Sequence, residues 1–315
     1  MASKVRNFTL LFLKGIGMGS ADIIPGVSGG TIAFISGIYE ELIDSIQSFD
    51  FKALKQLLSL DIKGFWKRIN GNFLAVLVSG IAVSIISFAG VITYLLDNFP
   101  IQIWSFFFGL IVISALSVMT QVTQKSAGVV LSGALGIVIA FLVTSATPAS
   151  TPDSLWFIFI CGVVAICAMV LPGISGSFIL LIFGKYEFIL NALRTLDFTV
   201  ILTFIAGCII GLLSFSKIIS WLFGRFHDVT VALLAGFMFG SLNKVWPWKL
   251  TTVFRMNNHG EQVALIQENI LPTEYFELTG TQPKILFAMF FMALGLFIIV
   301  IIKKIALKLK EEPND

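Results

Sequence analysis

The sequence is poor in the residues that enzymes commonly use for acid–base or metal chemistry. It has two histidines, His227 and His259, and three cysteines, Cys161, Cys167 and Cys208. Neither histidine lies near the repeated motif described below, so acid–base or phosphohistidine chemistry lacks its residue. The cysteines lie in apolar segments, which is typical of packing rather than of disulfides or metal sites. We therefore expect no catalytic residue, no metal and no other cofactor.

Charge is also scarce. Only 12% of the residues are charged, whereas 57% are hydrophobic, and the mean hydropathy is +0.95. Such a chain is typical of membrane proteins, and we expect lipids rather than nucleic acid as its surroundings. Apolar runs long enough to cross about 30 Å of hydrocarbon occur at 73–97, 101–120, 127–147, 199–223, 228–246 and 284–303. The sequence predicts an all-α, polytopic membrane protein that forms a single domain over residues 1–315.

A ten-residue motif occurs twice. The stretch ADIIPGVSGG begins at Ala21 and recurs 147 positions later as AMVLPGISGS, which begins at Ala168. The match continues at the same offset, and after a shortened loop it resumes at an offset of 127, where Gly80 pairs with Gly207. We interpret residues 8–118 and 155–245 as two copies of one unit. The remaining segments are a linking span at 119–154, a loop at 247–283 and a last span at 284–303.

Each copy begins with a segment that is too short or too interrupted for an ordinary span. The parts 8–24 and 29–43 flank the first motif, and fifteen helical residues reach only about 22 Å. We therefore predict a re-entrant helical hairpin at 8–43 and another at 155–190, besides about six full spans. Non-helical backbone at membrane depth needs protein or water to satisfy its polar groups, so these turns should face an interior cavity. Paired interrupted segments in two halves are typical of a transporter's binding site.

Lysine and arginine placement predicts the orientation, because short cytoplasmic loops collect positive charge. The segment 44–72 contains five basic residues, whereas the loops 97–100 and 148–154 contain none. This pattern places both termini in the cytoplasm and the 247–283 loop outside. Three full crossings then separate the two motifs, so the two repeats should have inverted orientations.

The motif residues suit an anion. Proline ends a helix, glycine permits a turn and Ser28 can cap the next helix, whose first N–H groups lack internal partners. Helix N-termini attract phosphate or carboxylate groups. If the repeats are inverted, the two helix starts should face one anion near the membrane midplane. The predicted ligands of that anion are Ser28, Gly29, Gly30, Thr31, Ser175, Gly176 and Ser177.

Helix ends alone do not offset the cost of an ion in hydrocarbon, so cations are expected nearby. The candidates are Lys14, Lys185 and Arg194, although Lys185 and Arg194 can equally snorkel to the outer interface. Candidate proton-coupling acids are Asp22, Glu40 and Glu187. Glu40 can equally belong to a solvated helix end, and Asp22 can equally brace the turn.

At these residues the chain resembles a known family. The run from Gly19 to Glu40, GSADIIPGVSGGTIAFISGIYE, is similar to that of the PopT-type polyprenyl-phosphate translocases, and the resemblance covers nearly the whole chain. It implies return of undecaprenyl phosphate from the outer to the inner leaflet of the bacterial cytoplasmic membrane, for reuse in envelope synthesis. The second copy departs from the first at Ser177 and at Met169, which replaces Asp22. Two alternatives remain: a permease for a small soluble anion and, less favoured, a lipid-phosphate phosphatase.

Overall fold

A computed structural model of the chain describes residues 2–24, 27–149, 151–256 and 262–311. The helices are α1 Ala2–Asp22, α2 Gly29–Ile35, α3 Tyr39–Gln47, α4 Phe51–Leu58, α5 Ile62–Arg68, α6 Gly71–Asn98, α7 Pro100–Met119, α8 Ala127–Ser145, α9 Leu155–Val170, α10 Gly176–Ile182, α11 Tyr186–Thr195, α12 Phe198–Ser241, α13 Pro272–Thr279 and α14 Ile285–Glu311. The strands are β1 Lys249–Met256 and β2 Gln262–Asn269.

The chain is a mostly helical, multi-pass membrane protein. Among the described residues, four helices are long and apolar enough to cross a membrane, namely α6, α7, α8 and α12, and the bent pair of α10 and α11 makes up to five. The sequence predicted six spans, two of which are parts of α12. This helix bends at Phe226, whose backbone angles (φ −135°, ψ 50°) are not helical. Helix α14, Ile285–Glu311, covers the span predicted at 284–303 except for its first residue.

The 247–283 loop contains a β-hairpin, which departs from the all-α prediction. Strands β1 and β2 pair antiparallel, with register irregularities between Thr251 and Phe254. Two tryptophans bind the loop together, because Trp246 Nε1 donates to the Ile270 carbonyl oxygen and Trp248 Nε1 donates to that of Pro283. The strands were not predicted because the composition of the loop is polar overall.

The second arm of each predicted hairpin is itself broken. Helix α2 ends at Ile35, and Gly37 follows with a positive φ of 71°. The Ile38 N–H donates to the Ala33 carbonyl oxygen, five residues back, which is the closure typical of a glycine-terminated helix. Gly184 (φ 64°) ends α10 in the same way, and α10 and α11 meet at a bend of 105°.

Local geometry recurs at the two offsets of the sequence repeat. Helices α2 and α10 have 7 residues each and begin 147 positions apart. Phe99 has φ −134° and ψ 46°, and Phe226, which lies 127 positions later, has φ −135° and ψ 50°. The bend inside α12 therefore corresponds to the break between α6 and α7.

Glycines let the long helices approach closely, again in corresponding places. A Cβ atom on Gly80 would lie 2.3 Å from the Phe12 carbonyl oxygen of α1, and one on Gly207 would lie 2.1 Å from the Phe159 carbonyl oxygen of α9. Small residues at such crossings permit the close backbone packing that drives helix association in membranes. Helix α1 thus packs on α6 as α9 packs on the first part of α12.

Helices α8 and α14 also occupy corresponding places. Gly236 of α12 packs against Gly136 of α8, and Gly109 of α7 packs against the Met292 segment of α14, close to Gly295. The sequence predicted a linking span at 119–154 and a last span at 284–303, outside the two repeats. The tripeptide Ala-Leu-Gly ends at Gly136 in α8 and at Gly295 in α14, so a weak sequence signal for this correspondence exists.

Candidate functional site

The two motif turns contact each other. The Gly173 N–H donates to Thr31 Oγ1 at 2.9 Å, and Ser28 Oγ donates to the Met169 carbonyl oxygen at 3.1 Å. Thr31 and Ser28 are both buried. A Cβ atom at Gly30 would lie 2.6 Å from the Val170 carbonyl oxygen, so the backbones are in direct contact. We call this contact region, residues 28–31 and 169–177, the turn junction.

The second turn depends on glycine for its shape. Gly173 has φ 88°, in the left-handed region that favours glycine. A Cβ atom there would lie 2.8 Å from the Phe237 carbonyl oxygen and 2.9 Å from Ser241 Oγ. The last turn of α12 thus packs directly on the motif. Pro25 and Gly26 of the first motif lie outside the described residues.

Protein groups already accept the donors at the start of α2. The Gly29 N–H donates to Asp22 Oδ1 at 2.6 Å, and the Gly30 N–H donates to Ser28 Oγ at 3.1 Å. The sequence predicted free donors at this helix start. In the structure, an acidic side chain lies where that prediction placed a phosphate.

The start of α10 is different. Ser175 occupies the capping position, yet its side chain makes no capping hydrogen bond. Its hydroxyl instead pairs with that of Ser177 at 2.8 Å. Ser175 is buried and Ser177 is exposed. The residue corresponding to Asp22 is Met169, so this helix start lacks the carboxylate that its counterpart carries.

An apolar cleft of about 180 Å³ adjoins the turn junction. Asp22 and Gly30 lie in its wall, and its other lining residues are Met18, Tyr39, Leu42, Ile43, Ile46, Leu77, Val78, Ile81, Ile166, Met169, Val170 and Leu212. The Tyr39 hydroxyl is buried without a hydrogen-bond partner. Such a cleft suits a hydrocarbon chain with a polar group near one end.

Two of the predicted cations lie away from the turn junction, at the opposite ends of the short helices. Lys14 Nζ donates to the Ser36 carbonyl oxygen at 2.8 Å, just past the end of α2. Lys185, just past the end of α10, donates to the Thr151 carbonyl oxygen at 2.7 Å and forms an ion pair with Asp153.

The remaining predicted residues are exposed. Arg194 lies in the last turn of α11, and Glu187 lies in its first turn. Glu40 lies in the first turn of α3, with its Oε1 atom 3.6 Å from His227 Nε2. Asp22, one of the three predicted coupling acids, hydrogen-bonds to the turn junction through the Gly29 N–H.

Sequence reasoning missed a second cavity, of about 250 Å³, beside α10. Phe178 of α10, Lys244 and Lys249 lie in its wall. Neither lysine was among the predicted site residues. Their separation by five positions, at the end of an apolar run, was the available signal, but the contact of Lys244 with Phe178 of α10 depends on the fold.

Comparison with known proteins identifies the family of the chain. Residues 18–263 match a family described as undecaprenyl phosphate translocase-like. The chain is 44% identical over 308 residues to a polyprenyl-phosphate transporter of Vibrio cholerae, covering 98% of this chain and all of that protein. It is 32% identical over 259 residues to a polyprenyl-phosphate transporter of Staphylococcus aureus, covering 76% of this chain and 87% of that one. No solved structure matches.

Proposed function

The chain belongs to the undecaprenyl phosphate translocase-like family, and we propose that it carries undecaprenyl phosphate from the outer to the inner leaflet of the bacterial cytoplasmic membrane. Its relatives are named polyprenyl-phosphate transporters. The transported lipid carrier would then be available for another round of envelope synthesis. The protein acts as a transporter in this proposal, not as an enzyme.

The observation that carries the proposal is the contact between the two motif turns. The Thr31 hydroxyl and the Gly173 N–H join chain segments 142 positions apart. Both motifs therefore contribute hydroxyl and amide groups to one place inside the helical protein. We propose that the repeats have inverted orientations, that both termini are cytoplasmic, and that the turns are re-entrant and meet near the membrane midplane.

We propose that, within the turn junction, the phosphate binds first at the start of α10. Ser175 leaves this start uncapped, and Ser177 is exposed. Gly176 completes the turn, and Ser28, Gly29, Gly30 and Thr31 complete the site once Asp22 releases the Gly29 N–H. The apolar cleft beside Asp22 would hold isoprenoid units next to the headgroup, while the rest of the tail stays in lipid.

The helix ends alone attract the phosphate too weakly to hold it inside the membrane. A helix terminus contributes about 0.3–2 kcal/mol toward an anion, whereas an isolated ion in hydrocarbon costs tens of kcal/mol. Arg194 and Lys14 are the cations that we propose to act before and after the turn junction, respectively, on its two sides. Lys185 is already paired with Asp153, so we assign it the role of holding residues 151–153 against α10.

Proton coupling would act through Asp22. A carboxylate and a phosphate repel each other, so the phosphate can share the start of α2 only if Asp22 is neutral or displaced. A proton taken up by Asp22 would achieve this. Glu40 and Glu187 lie beyond the opposite ends of α2 and α10, so we give them a secondary role in coupling.

A reconstituted assay tests the proposal. The full chain is placed in vesicles that contain undecaprenyl phosphate, and loss of the lipid from the outer leaflet is followed with and without an imposed pH gradient. We expect the wild-type protein to move the lipid. The double variant Ser175→Ala/Ser177→Ala should slow movement by about tenfold or more, because hydrogen bonds to a charged group are lost.

The matched control is Ser79→Ala, since Ser79 is an exposed serine of α6 that bonds only locally, to the Val76 carbonyl oxygen. It should transport lipid at the wild-type rate.

Asp22→Asn should remove the dependence of transport on the pH gradient, whereas Glu187→Gln should leave most of that dependence. Inhibition by inorganic phosphate as strong as that by the lipid would favour a soluble-anion permease, and release of inorganic phosphate from the lipid would favour a phosphatase.

A further inference from the structure

The cavity beside α10 contains two lysines whose side chains lie close to each other. Lys249 Nζ donates to the backbone carbonyl oxygen of Lys244 at 2.7 Å. Aromatic rings lie under both ammonium groups, with Lys249 Nζ 3.7 Å from the ring centre of Trp104 and Lys244 Nζ 4.3 Å from that of Phe178. The arrangement holds two cations at fixed positions around one cavity.

These two cations lack an acidic partner. Within the described part of the chain, neither ammonium group has a carboxylate within salt-bridge distance. Burial lowers the pKa of Lys244, and burial together with the charge of Lys244 lowers that of Lys249 well below its usual value. Cation–π contacts compensate only part of the lost hydration. An anion in the cavity would supply the missing charge.

The cavity adjoins the site proposed for the phosphate. Phe178 is the third residue of α10, immediately after Gly176 and Ser177. Ser241, which packs against Gly173, is three residues before Lys244. An anion that left the lysines toward α10 would therefore next meet the uncapped start of that helix.

The rest of the cavity has a mixed lining, with polar groups beside apolar residues such as Leu181 and Ile266. The Asn243 amide donates to Ser145 Oγ at 3.0 Å, and the Asn269 amide donates to the Asn243 backbone and side-chain oxygens. One carboxylate, that of Glu268, also lies in the wall, on the exposed part of β2. The cavity thus has a net positive charge of one when both lysines are protonated.

We propose that this cavity is a receiving site for the phosphate monoester of the lipid, occupied before the headgroup reaches the turn junction. This inference rests on the proposed function, and with the predicted topology it places the cavity at the outer face. Lys244 and Lys249 bind the phosphate oxygens, and the rings of Trp104 and Phe178 orient the two ammonium groups. The apolar surface of α10 beside them keeps the first isoprenoid units out of water.

Binding and transport by matched variants test the inference. Binding of undecaprenyl phosphate, inorganic phosphate and undecaprenol to the full chain in detergent is compared for the wild type and for Lys244→Gln/Lys249→Gln. We expect the double variant to bind undecaprenyl phosphate about tenfold or more weakly, because two charge-assisted contacts are lost. Glu268→Gln should tighten binding, since it removes a repelling charge from the same cavity.

Two controls separate charge from folding. Lys284→Gln removes one positive charge from an exposed site at the start of α14 and should leave binding unchanged. Lys244→Arg/Lys249→Arg keeps both charges and should restore most of the affinity, which a merely structural role of the lysine side chains would not require.

The outcomes distinguish this inference from the proposed function. In vesicles, the double glutamine variant should need about tenfold more lipid for half-maximal movement than the wild type does. If the wild type moves the lipid and the double glutamine variant needs the same amount of lipid for half-maximal movement, the receiving site is overturned and the transport function stands. A wild-type protein that moves no lipid would overturn the proposed function itself. Equal affinity for inorganic phosphate and the lipid would overturn the lipid assignment of the cavity.

Discussion

The Gly173 N–H donates a hydrogen bond to Thr31 Oγ1, and this buried bond joins the two copies of the motif. Gly173 lies in the turn before α10, and Thr31 lies in the first turn of α2. Two chain breaks that recur in sequence are therefore part of one three-dimensional site. The stability of the turn junction and its transport activity should respond together when this bond is removed.

Thr31→Val should destabilise the protein and slow lipid movement. Valine has nearly the shape of threonine but leaves the Gly173 N–H without an acceptor, which costs about 1–3 kcal/mol when the group is buried. Thermal unfolding in detergent and lipid movement in vesicles measure the two effects. Thr31→Ser keeps the hydroxyl and should retain most of both. A valine variant as stable and active as the wild type would show that the bond between the motifs is dispensable.

Gly173→Ala should disrupt the second turn. The positive φ alone costs alanine roughly 1–2 kcal/mol, and the new Cβ atom would lie 2.8 Å from the Phe237 carbonyl oxygen. We expect a lower unfolding temperature and reduced transport. Gly90→Ala is the matched control, because a Cβ atom there meets open space. Similar stability of the two alanine variants would contradict the close packing of α12 on the motif.

Lys249→Met should stabilise the protein while it weakens transport. Because the pKa of Lys249 is lowered in the folded chain, the unfolded chain binds the proton more tightly, so wild-type stability rises with pH through the folded pKa and up to 10.5. Methionine abolishes this titration. The stability advantage of the variant should be largest below the folded pKa of Lys249 and should shrink as the pH rises through it. Thermal unfolding measured from pH 6 upward, about one pH unit at a time, tests this; a constant difference would contradict it.

Arg68 should stabilise the α4–α5 segment through Asp50. Arg68 Nε donates to Asp50 Oδ1 at 2.9 Å, and Nη2 also contacts the carboxylate. The hydrogen bond from Arg68, then that from the Ala53 N–H, lowers the pKa of Asp50 below its ordinary value of 3.8. This stabilisation is present above that value and is lost as the pH falls toward the folded pKa.

Arg68→Lys keeps the charge but loses the two-pronged contact, so it should lower the unfolding temperature at pH 7 by a small amount. The difference from the wild type should begin to close as the pH falls below about 4, where the unfolded chain protonates Asp50, and should keep shrinking toward the lower folded pKa of Asp50. Protease accessibility of the 44–72 segment provides a second measurement. A difference that persists in acid would assign the effect to packing rather than to the ion pair.

Several parts of the fold and site could be predicted from the sequence because they depend on local chemistry. The motif positions, the breaks before α2 and α10 and the apolar spans follow from proline, glycine and hydropathy. The helix end at Gly37 was missed, although its glycine was visible, because the hydrophobic pattern continues past it. The β-hairpin was missed because its alternation is weak within a polar loop.

Other parts depend on contacts between distant segments. The sequence allowed Asp22 either to couple protons or to brace the turn. Its hydrogen bond with the Gly29 N–H is a property of the folded chain and could not be predicted. Lys14 and Lys185 were expected at the anion, yet the Lys14 ammonium group lies at the far end of α2, and Lys185 lies past the far end of α10. Both lysines are close to the motif along the sequence. In the structure, however, the motif lies at the N-terminal ends of α2 and α10, whereas the two ammonium groups lie at the C-terminal ends.

The sequence by itself determined that this is a membrane protein built around a duplicated Pro-Gly-containing motif, because hydropathy and repetition are properties of the chain. Only the tertiary structure decided that the two turns touch, that a carboxylate lies at one helix start, and that Lys244 and Lys249 line a cavity beside the other. The physical reason is that hydrogen bonds and charge contacts depend on distances of a few ångströms between residues far apart along the chain, and no linear spacing specifies those distances.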